Sequence, residues 1–268
     1  MIFPLEDSWI DVLAKAQKGL GLEDAQLSQK AGIELSQLQA IKEGRYDLPI
    51  LKKLCSALGL KESAMIELAH SEWFPDEIEL SGLAQFNTPY AEMTVNSFLA
   101  YDKVSKQAVV FDTGADATPI LHFIKKQNLT CELILLTHTH GDHILELDRL
   151  KEKTGALAFV NELEPLSGAT SFATGKAFQV GSLHIVSRLT WGHSLGGTTY
   201  VITGLTQPVA IVGDALFASS MGGAKISYSA ALKTNREEIF SLSNNTILCP
   251  GHGPMTTVGE EKSHNPFF

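Results

Sequence analysis

Apolar residues recur with two different spacings along the chain, and the spacing changes near residue 75. Before this point they return every three or four positions, which is typical of amphipathic helices. Polar caps and glycines mark the ends of five predicted helices. These are a helix capped by Ser8 with Asp11, a helix over about 23–31 ended by Gly32, a helix capped by Ser36 with Gln39 and ended by Gly44, a helix from Pro49 to Gly59, and a short helix over 62–69.

After residue 75, short apolar runs bounded by turn residues predict strands. The runs cover 95–99, 108–111, 133–136, 157–160, 183–186, 199–202 and 209–212. Thr118 and Pro119 open a predicted helix between the second and third runs. Mixed strands and helices indicate an α/β fold. We therefore expect an all-α domain over 1–72, a linker over 73–79 and an α/β domain over 80–268.

The charge balance narrows the possible partners. The net charge is −9, and residues 1–70 contribute −2, with seven Lys and one Arg against six Glu and four Asp. Since affinity for nucleic acid depends largely on neutralising phosphates, this balance argues against DNA as a partner. Gln37 and Gln39 in the third helix still leave specific base contacts open.

Composition also bears on the compartment. Three widely spaced cysteines, Cys55, Cys131 and Cys249, are odd in number and have apolar neighbours, which predicts reduced thiols in the core. No apolar run approaches the roughly 20 residues that span a bilayer. The N-terminus is acidic, unlike a secretory signal. The sequence thus predicts a cytoplasmic protein.

The densest chemistry lies directly after the apolar run 133–136. Three of the nine histidines and one aspartate fall within residues 137–143, namely His138, His140, Asp142 and His143. Imidazole and carboxylate are the ligands that borderline divalent ions such as zinc prefer. The pattern His-x-His-x-Asp-His at the end of a strand therefore predicts a metal site.

This run resembles the signature of the metallo-β-lactamase superfamily. Three later motifs follow in the family's order, with His193 in 192–197, Asp214 in 211–214 and His252 in 250–254. The later motifs and the closing stretch from Cys249 to Phe268 are most similar to the glyoxalase II branch, the hydroxyacylglutathione hydrolases. The resemblance covers roughly residues 80–268 and implies an αββα sandwich with the metals at one edge.

The resemblance also implies a ligand set for two divalent ions. Residues matching His138, His140 and His193 hold the first ion in the family. Those matching Asp142, His143 and His252 hold the second, and Asp214 bridges the two. Zinc is the favoured metal, with iron or manganese as alternatives. The implied nucleophile is a hydroxide between the ions, which Asp142 helps to orient.

Other polar residues have a weaker basis. Asp112, at the end of a predicted strand, matches a position near the family's metals; it either fixes a ligand histidine or is a turn residue. In glyoxalase II relatives, a basic residue commonly follows the bridging aspartate by about ten positions. Glycine takes that position in this chain, and the lysine lies two positions further on. Lys225 and Tyr228 are therefore the candidates for binding the substrate. We interpret His184 as structural, and three further histidines lack a ligand partner: His70, His122 and His264.

The first domain resembles the phage-repressor-like helix-turn-helix family. The resemblance rests on residues 26–32, 41–45 and 48–54. The acidic net charge of this first domain favours packing, protein contact or homo-oligomer formation over DNA binding.

Four functions remain open at this point. The favoured one is a metal-dependent hydrolase of a thioester or related small ester, with a small-molecule substrate. The alternatives are a mononuclear-iron persulfide dioxygenase, a hydrolase of lactones or β-lactams, and a helix-turn-helix regulator whose second domain senses a metal or metabolite. The complete ligand set favours an enzyme over a regulator.

Overall fold

The computed structural model of the protein describes residues 3–268. Within this range, five helices precede the first strand, as the apolar spacing predicted. They are α1 Trp9–Gly19, α2 Asp24–Ala31, α3 Leu35–Lys42, α4 Leu48–Leu58 and α5 Glu62–His70.

The cap of α3 differs from the prediction. Helix α3 begins at Leu35, so Ser36 lies inside the first turn and is not its cap. Glu34 takes that position, and its backbone N–H donates to the Gln37 side chain at 2.9 Å. Gly32 ends α2 in the left-handed conformation, and the short turn after it places the Glu34–Gln37 pair at the start of α3.

Twelve strands form two six-stranded sheets in the described part of the chain. The first sheet has the order β1-β2-β3-β4-β5-β6. Its strands are β1 Leu83–Tyr90, β2 Met93–Tyr101, β3 Gln107–Phe111, β4 Thr130–Leu135, β5 Leu157–Asn161 and β6 Thr170–Phe172. The second sheet has the order β12-β11-β10-β9-β8-β7. Its strands are β7 Ala177–Val180, β8 Leu183–Leu189, β9 Thr198–Thr203, β10 Val209–Gly213, β11 Ile247–Pro250 and β12 Thr256–Thr257.

The remaining helices lie between and after these strands. They are α6 Thr118–Gln127, α7 Gly141–Ile144, α8 Leu147–Thr154, α9 Tyr228–Thr234 and α10 Val258–His264, with a π-helical turn over Asn235–Ile239. From residue 3 to residue 268, no helix is both long and apolar enough to cross a membrane.

Three apolar cores hold these layers together, and each contains one of the cysteines. The core between the two sheets includes Phe98, Tyr200 and Cys249. The core under α6 and α8 includes Cys131. The third core, around Cys55, joins the outer face of the second sheet to α1–α5, α9 and α10. The αββα sandwich is confirmed, with the N-terminal helices on the side of the second sheet. All three cysteines are free and buried, as predicted.

Helix α5 is fastened to the C-terminus. The backbone N–H of Lys61 donates to the Pro266 carbonyl at 2.7 Å, and its ammonium donates to two carbonyls at the end of α10. Glu67 pairs with His264 at 2.7 Å, and the Trp73 ring stacks on the His264 ring at 4.4 Å. The first residue of the predicted linker thus lies against the last helix.

Candidate metal centre

The candidate ligands all lie just beyond the carboxyl ends of strands. His138 and His140 follow β4, and Asp142 and His143 lie on the short helix α7. The other three follow strands of the second sheet: His193 after β8, Asp214 after β10 and His252 after β11. Because these strand ends meet at one edge of the sandwich, residues more than a hundred positions apart in the sequence converge there.

One group of ligands surrounds the first candidate position. Nδ1 of His140 lies 3.1 Å from Nε2 of His138 and 2.9 Å from Nε2 of His193. Oδ2 of Asp214 lies 3.3 Å from Nε2 of His193 and 3.8 Å from Nε2 of His138. Ligand atoms from His138, His140, His193 and Asp214 all lie within 4.8 Å of one another.

A second group lies beside the first and consists of Asp142, His143 and His252. Oδ2 of Asp142 lies 3.5 Å from Nε2 of His143 and 3.4 Å from Nε2 of His252. Asp214 faces this group as well, because its Oδ1 lies 3.3 Å from Nε2 of His143. Its Oδ2, which faces the first group, also lies 3.5 Å from Nε2 of His252. The Asp214 carboxylate therefore stands between the two groups and faces both.

Divalent ions fit these residues. Two ligands of a tetrahedral zinc ion, each 2.0–2.1 Å from the metal, lie about 3.3 Å apart, close to the spacing found here. Nε2 of His143 and Oδ1 of Asp214 are buried without a hydrogen-bond partner among the described residues. A buried polar atom left without a partner is costly, and a metal ion would satisfy both.

Asp112 fixes the orientation of two histidines. Its Oδ2 accepts from Nδ1 of His143 at 2.8 Å, and both its oxygens accept from Thr137, at 2.7 Å from the backbone N–H and from the hydroxyl. Oγ1 of Thr137 lies 3.0 Å from Nδ1 of His138. Asp112 has a φ of +56°, a left-handed conformation that few residues other than glycine adopt. These contacts are more than a turn residue needs, and they hold both rings with Nε2 toward the site.

Backbone carbonyls orient two further histidines. Nδ1 of His193 donates to the carbonyl of Gly223 at 2.9 Å, and Nδ1 of His252 donates to the carbonyl of Thr94 at 2.6 Å. With Nδ1 occupied in this way, Nε2 of each ring is left free for a metal.

Two polar residues that sequence reasoning missed support the loops that carry the ligands. Glu164 accepts from the backbone N–H of Thr139 and of Gly196, each at 2.8 Å, and so ties the two histidine loops together. The buried Asn96 donates to the carbonyls of Pro250 and Gly253, which flank His252. Neither residue belongs to a local motif, so the sequence carried no signal for its role.

The glycine before His252 permits a close approach. A Cβ at Gly251 would overlap Oδ1 of Asp214 and would lie 2.7 Å from Cε1 of His143. The chain can pass this close to the Asp214 carboxylate only without a side chain at this position.

Three carboxylates, those of Asp112, Asp142 and Asp214, act on the charge of the histidines in the site. Burial alone would lower the pKa of His143, but the charges of Asp214 and Asp112 outweigh it and raise that pKa to about 10. In the same way, Asp142 and Asp214 overcome burial and raise the pKa of His252 to about 11. His138 has mainly burial and other histidines around it, and its pKa lies well below the usual value. Positive charge is therefore favoured at His143 and His252, beside the carboxylates, and disfavoured at His138.

The two candidate substrate residues have different surroundings. Lys225 is exposed. The pKa of His140 is lowered, mainly because His140 is partly buried; the charge of Asp214 opposes this shift, and the charge of Lys225 adds to it. The Tyr228 ring lies against Gly19 of α1 and 6.4 Å from the Phe267 ring, and burial raises the pKa of its hydroxyl to about 12. Substrate binding by either residue stays a prediction.

Comparison with known families determines the superfamily of this chain. The sequence profile described as "Metallo-beta-lactamase superfamily" matches residues 91–252, which include all seven candidate ligands. The chain belongs to the metallo-beta-lactamase superfamily. Members of this superfamily bind divalent metals, in accord with the His/Asp cluster.

Relatives within the superfamily carry the names of hydrolases. A probable metallo-hydrolase of Streptococcus pyogenes serotype M6 is 31% identical over 197 residues, which are 63% of this chain and 84% of the relative. The probable metallo-hydrolase YqgX of Bacillus subtilis is 30% identical over 186 residues, 60% of this chain and 87% of the relative. These similarities support a metal-dependent hydrolase.

Solved structures of the superfamily share the sandwich. The BLEG-1 B3 metallo-beta-lactamase is 29% identical, with a TM-score of 0.60 over 69% of this chain and 99% of its own. ETHE1 from Myxococcus xanthus is 25% identical, with a TM-score of 0.61 over 68% of this chain and 83% of its own.

Proposed function

We propose that this protein is a two-metal hydrolase of thioesters or related small esters, within the glyoxalase II-like branch of the superfamily. The observation that carries the proposal is the pair of ligand groups with Asp214 between them: its Oδ1 faces His143, and its Oδ2 faces His193 and His252. A site for two ions suits attack of water on a carbonyl, since one ion can activate the water while the other polarises the substrate.

The protein's own residues divide the work as follows. One ion would be held by His138, His140 and His193. The other ion would be held by Asp142, His143 and His252. Asp214 would contribute to both. Zinc is the metal that we expect, since histidine nitrogens and carboxylate oxygens are the ligands of catalytic zinc sites; the same set also suits iron or manganese. The Asp142 side chain is 12% exposed, whereas those of His143 and His252 are 0% and 2% exposed. Its carboxylate is placed to orient water and to accept a proton when water adds to the carbonyl.

Hydrolysis of a β-lactam or lactone is a second candidate. The similarity to BLEG-1, titled a B3 metallo-beta-lactamase, favours it. The same pair of ligand groups would serve either substrate, so the two candidates differ only in the ring or chain that carries the carbonyl.

We further propose that α2 and α3 form a helix-turn-helix that serves assembly or protein contact rather than DNA binding. Gln37 and Gln39 on α3 are exposed, but Lys42, the cation of that helix, is paired with Asp24. Few cations therefore remain there to neutralise phosphates.

Metal content with an Asp214→Ala variant tests the main proposal. We expect about two zinc ions per wild-type chain purified without chelator, hydrolysis of acyl thioesters, and loss of both metal and activity in the variant. Asp116→Asn, which removes an exposed carboxylate, is the control and should keep both.

Other results would point elsewhere. One tightly bound iron with oxygen consumption on persulfides would replace the hydrolase with the dioxygenase. Hydrolysis of a chromogenic cephalosporin but of no thioester would favour the second candidate. A protein that binds no metal even after reconstitution would overturn the enzymatic proposal.

A further inference from the structure

A cavity lies between the first helix and the segment that follows the bridging aspartate. Its volume is about 310 Å³, and α1 forms one wall with Lys15, Lys18 and Gly19. Residues 223–225 form the opposite wall. Helix α1 lies outside the part of the chain that the superfamily profile matches, so most of the residues that line this cavity come from outside the matched region.

The cavity is next to the metal centre. Gly223 lines it, and the carbonyl of this same residue accepts the hydrogen bond from Nδ1 of His193 at 2.9 Å. One imidazole ring therefore separates the cavity wall from the ligand atom Nε2 of His193. A substrate with its reacting carbonyl at the centre could reach the cavity with its other end.

The carboxylates around the cavity are already engaged. Asp7 pairs with Lys15 and accepts from Oγ of Ser220 at 2.5 Å. Asp11 caps α1 and accepts from the backbone N–H and hydroxyl of Ser8, at 2.9 Å and 2.6 Å. Lys15 balances the charge of Asp7, and the cavity lining as a whole carries three ammonium groups against two carboxylates.

Two of the three ammonium groups that line the cavity have no partner among the described residues. Lys15 is committed to Asp7 and to the Met221 carbonyl, to which it donates at 2.8 Å. Lys18 and Lys225 also line the cavity, and across residues 3–268 neither ammonium has an ion pair or a hydrogen bond. An anion bound in the cavity would give both ammonium groups a partner.

We propose that this cavity binds a carboxylate at the non-reacting end of the substrate, through Lys18 and Lys225. The assignment rests on the proposed function, which places the scissile ester or thioester at the metal centre. Helix α1 then becomes part of the substrate site, and its position determines the preference for a substrate that carries a carboxylate. Two contacts fix that position: Lys15 bonds to Met221, and Gly19 lies so close to the Tyr228 ring that a Cβ there would overlap it.

Three acetyl thioesters of similar size test the charge preference: the thioester of 3-mercaptopropanoate, that of its neutral amide, and the cationic acetylthiocholine. We expect zinc-loaded wild type to favour the carboxylate over the amide by at least tenfold in kcat/KM. In Lys18→Glu/Lys225→Glu this ratio should fall at least tenfold, and relative activity on acetylthiocholine should rise. Lys125→Glu makes the same kind of charge change on α6, away from the cavity, and should leave the wild-type ratios.

A ratio that is near one in the wild type, or that the double variant retains, would overturn the proposal. An NMR titration of metal-free protein with succinate and with succinamide separates the cavity from the chemistry. Succinate binding that weakens at least tenfold in the double variant supports the cavity even if no thioester is hydrolysed, in which case the proposed function alone fails. Equal binding of succinate by both proteins counts against the cavity.

Discussion

Asp112 shows how one residue outside the ligand set can govern the site. It holds His143 directly and His138 through Thr137, from a left-handed backbone position. Asparagine tolerates that conformation better than most residues, so Asp112→Asn removes the charge while keeping the backbone.

We expect Asp112→Asn to weaken metal binding by about 10–100-fold, because the amide would present N–H groups to donors that now bond to a carboxylate. Competition with a chromogenic chelator measures this affinity. Unchanged affinity would mean that Asp112 does not position the ligands. Asp116→Asn again serves as the matched surface change.

The residues that the sequence predicted and those that it missed differ in a physical way. The candidate ligands follow strands in short motifs, since several donors must meet to hold a single ion, and the run 137–143 carries this signal in the sequence. Glu164 and Asn96 act only because two loops from different sheets approach them. That approach is created by the packing of the sheets, so no local pattern records it.

Among the elements, α10 links the C-terminus to the segment beside the metal centre. Glu261 on α10 is fully buried and accepts from the Ser219 backbone at 3.0 Å, from Asn265 at 2.8 Å and from Thr256 at 2.9 Å. Asn265 also donates to the Ser220 carbonyl at 2.8 Å. Burial raises the pKa of Glu261 from 4.5 to about 7, although these bonds favour the ionised form.

This raised pKa gives a pH dependence with a defined sign. Below pH 4.5 the residue is protonated in both states; between 4.5 and about 7 the unfolded chain loses the proton first. The free energy of unfolding therefore falls as pH rises through this window, by about 3 kcal/mol. Denaturant titrations at pH 4.5 and pH 7.5 should show that Glu261→Gln lacks this decrease. Glu152→Gln, an exposed counterpart, should show the same decrease as wild type.

Secondary structure was predicted best where apolar spacing is long and regular. The five N-terminal helices and the strands from β2 to β5 follow their patterns closely. β6 and β12, with three and two residues, are too short to show a period. The cap of α3 was misplaced because Ser36 with Gln39 and Glu34 with Gln37 both fit a capping pattern, and only the turn after Gly32 decides between them.

At the scale of the whole molecule, the N-terminal helices and the sandwich share a core. Leu54 and Met65 of the helices lie in the same cluster as Val212 and Leu248 of the second sheet. Hydrogen bonds from Lys61 to α10 and its neighbour Pro266 close the same interface.

We therefore expect the metal-free protein to unfold in a single calorimetric transition, since neither part can lose its structure without exposing the shared core. Two separated transitions would show that the helices fold independently. Lys61→Ala should lower the midpoint while keeping one transition, whereas Lys125→Ala on α6 should leave it unchanged.

Each of the three apolar cores contains one buried thiol, and the alkylation of that thiol reports when its core opens. Burial raises the pKa of Cys55 and of Cys131 to about 12 and that of Cys249 well above its usual value, so the folded protein presents almost no thiolate to an alkylating reagent. Each thiol becomes reactive only when its own core opens. Alkylation rates read peptide by peptide would thus report local opening of each core in the native protein, below the single global transition and without any introduced label.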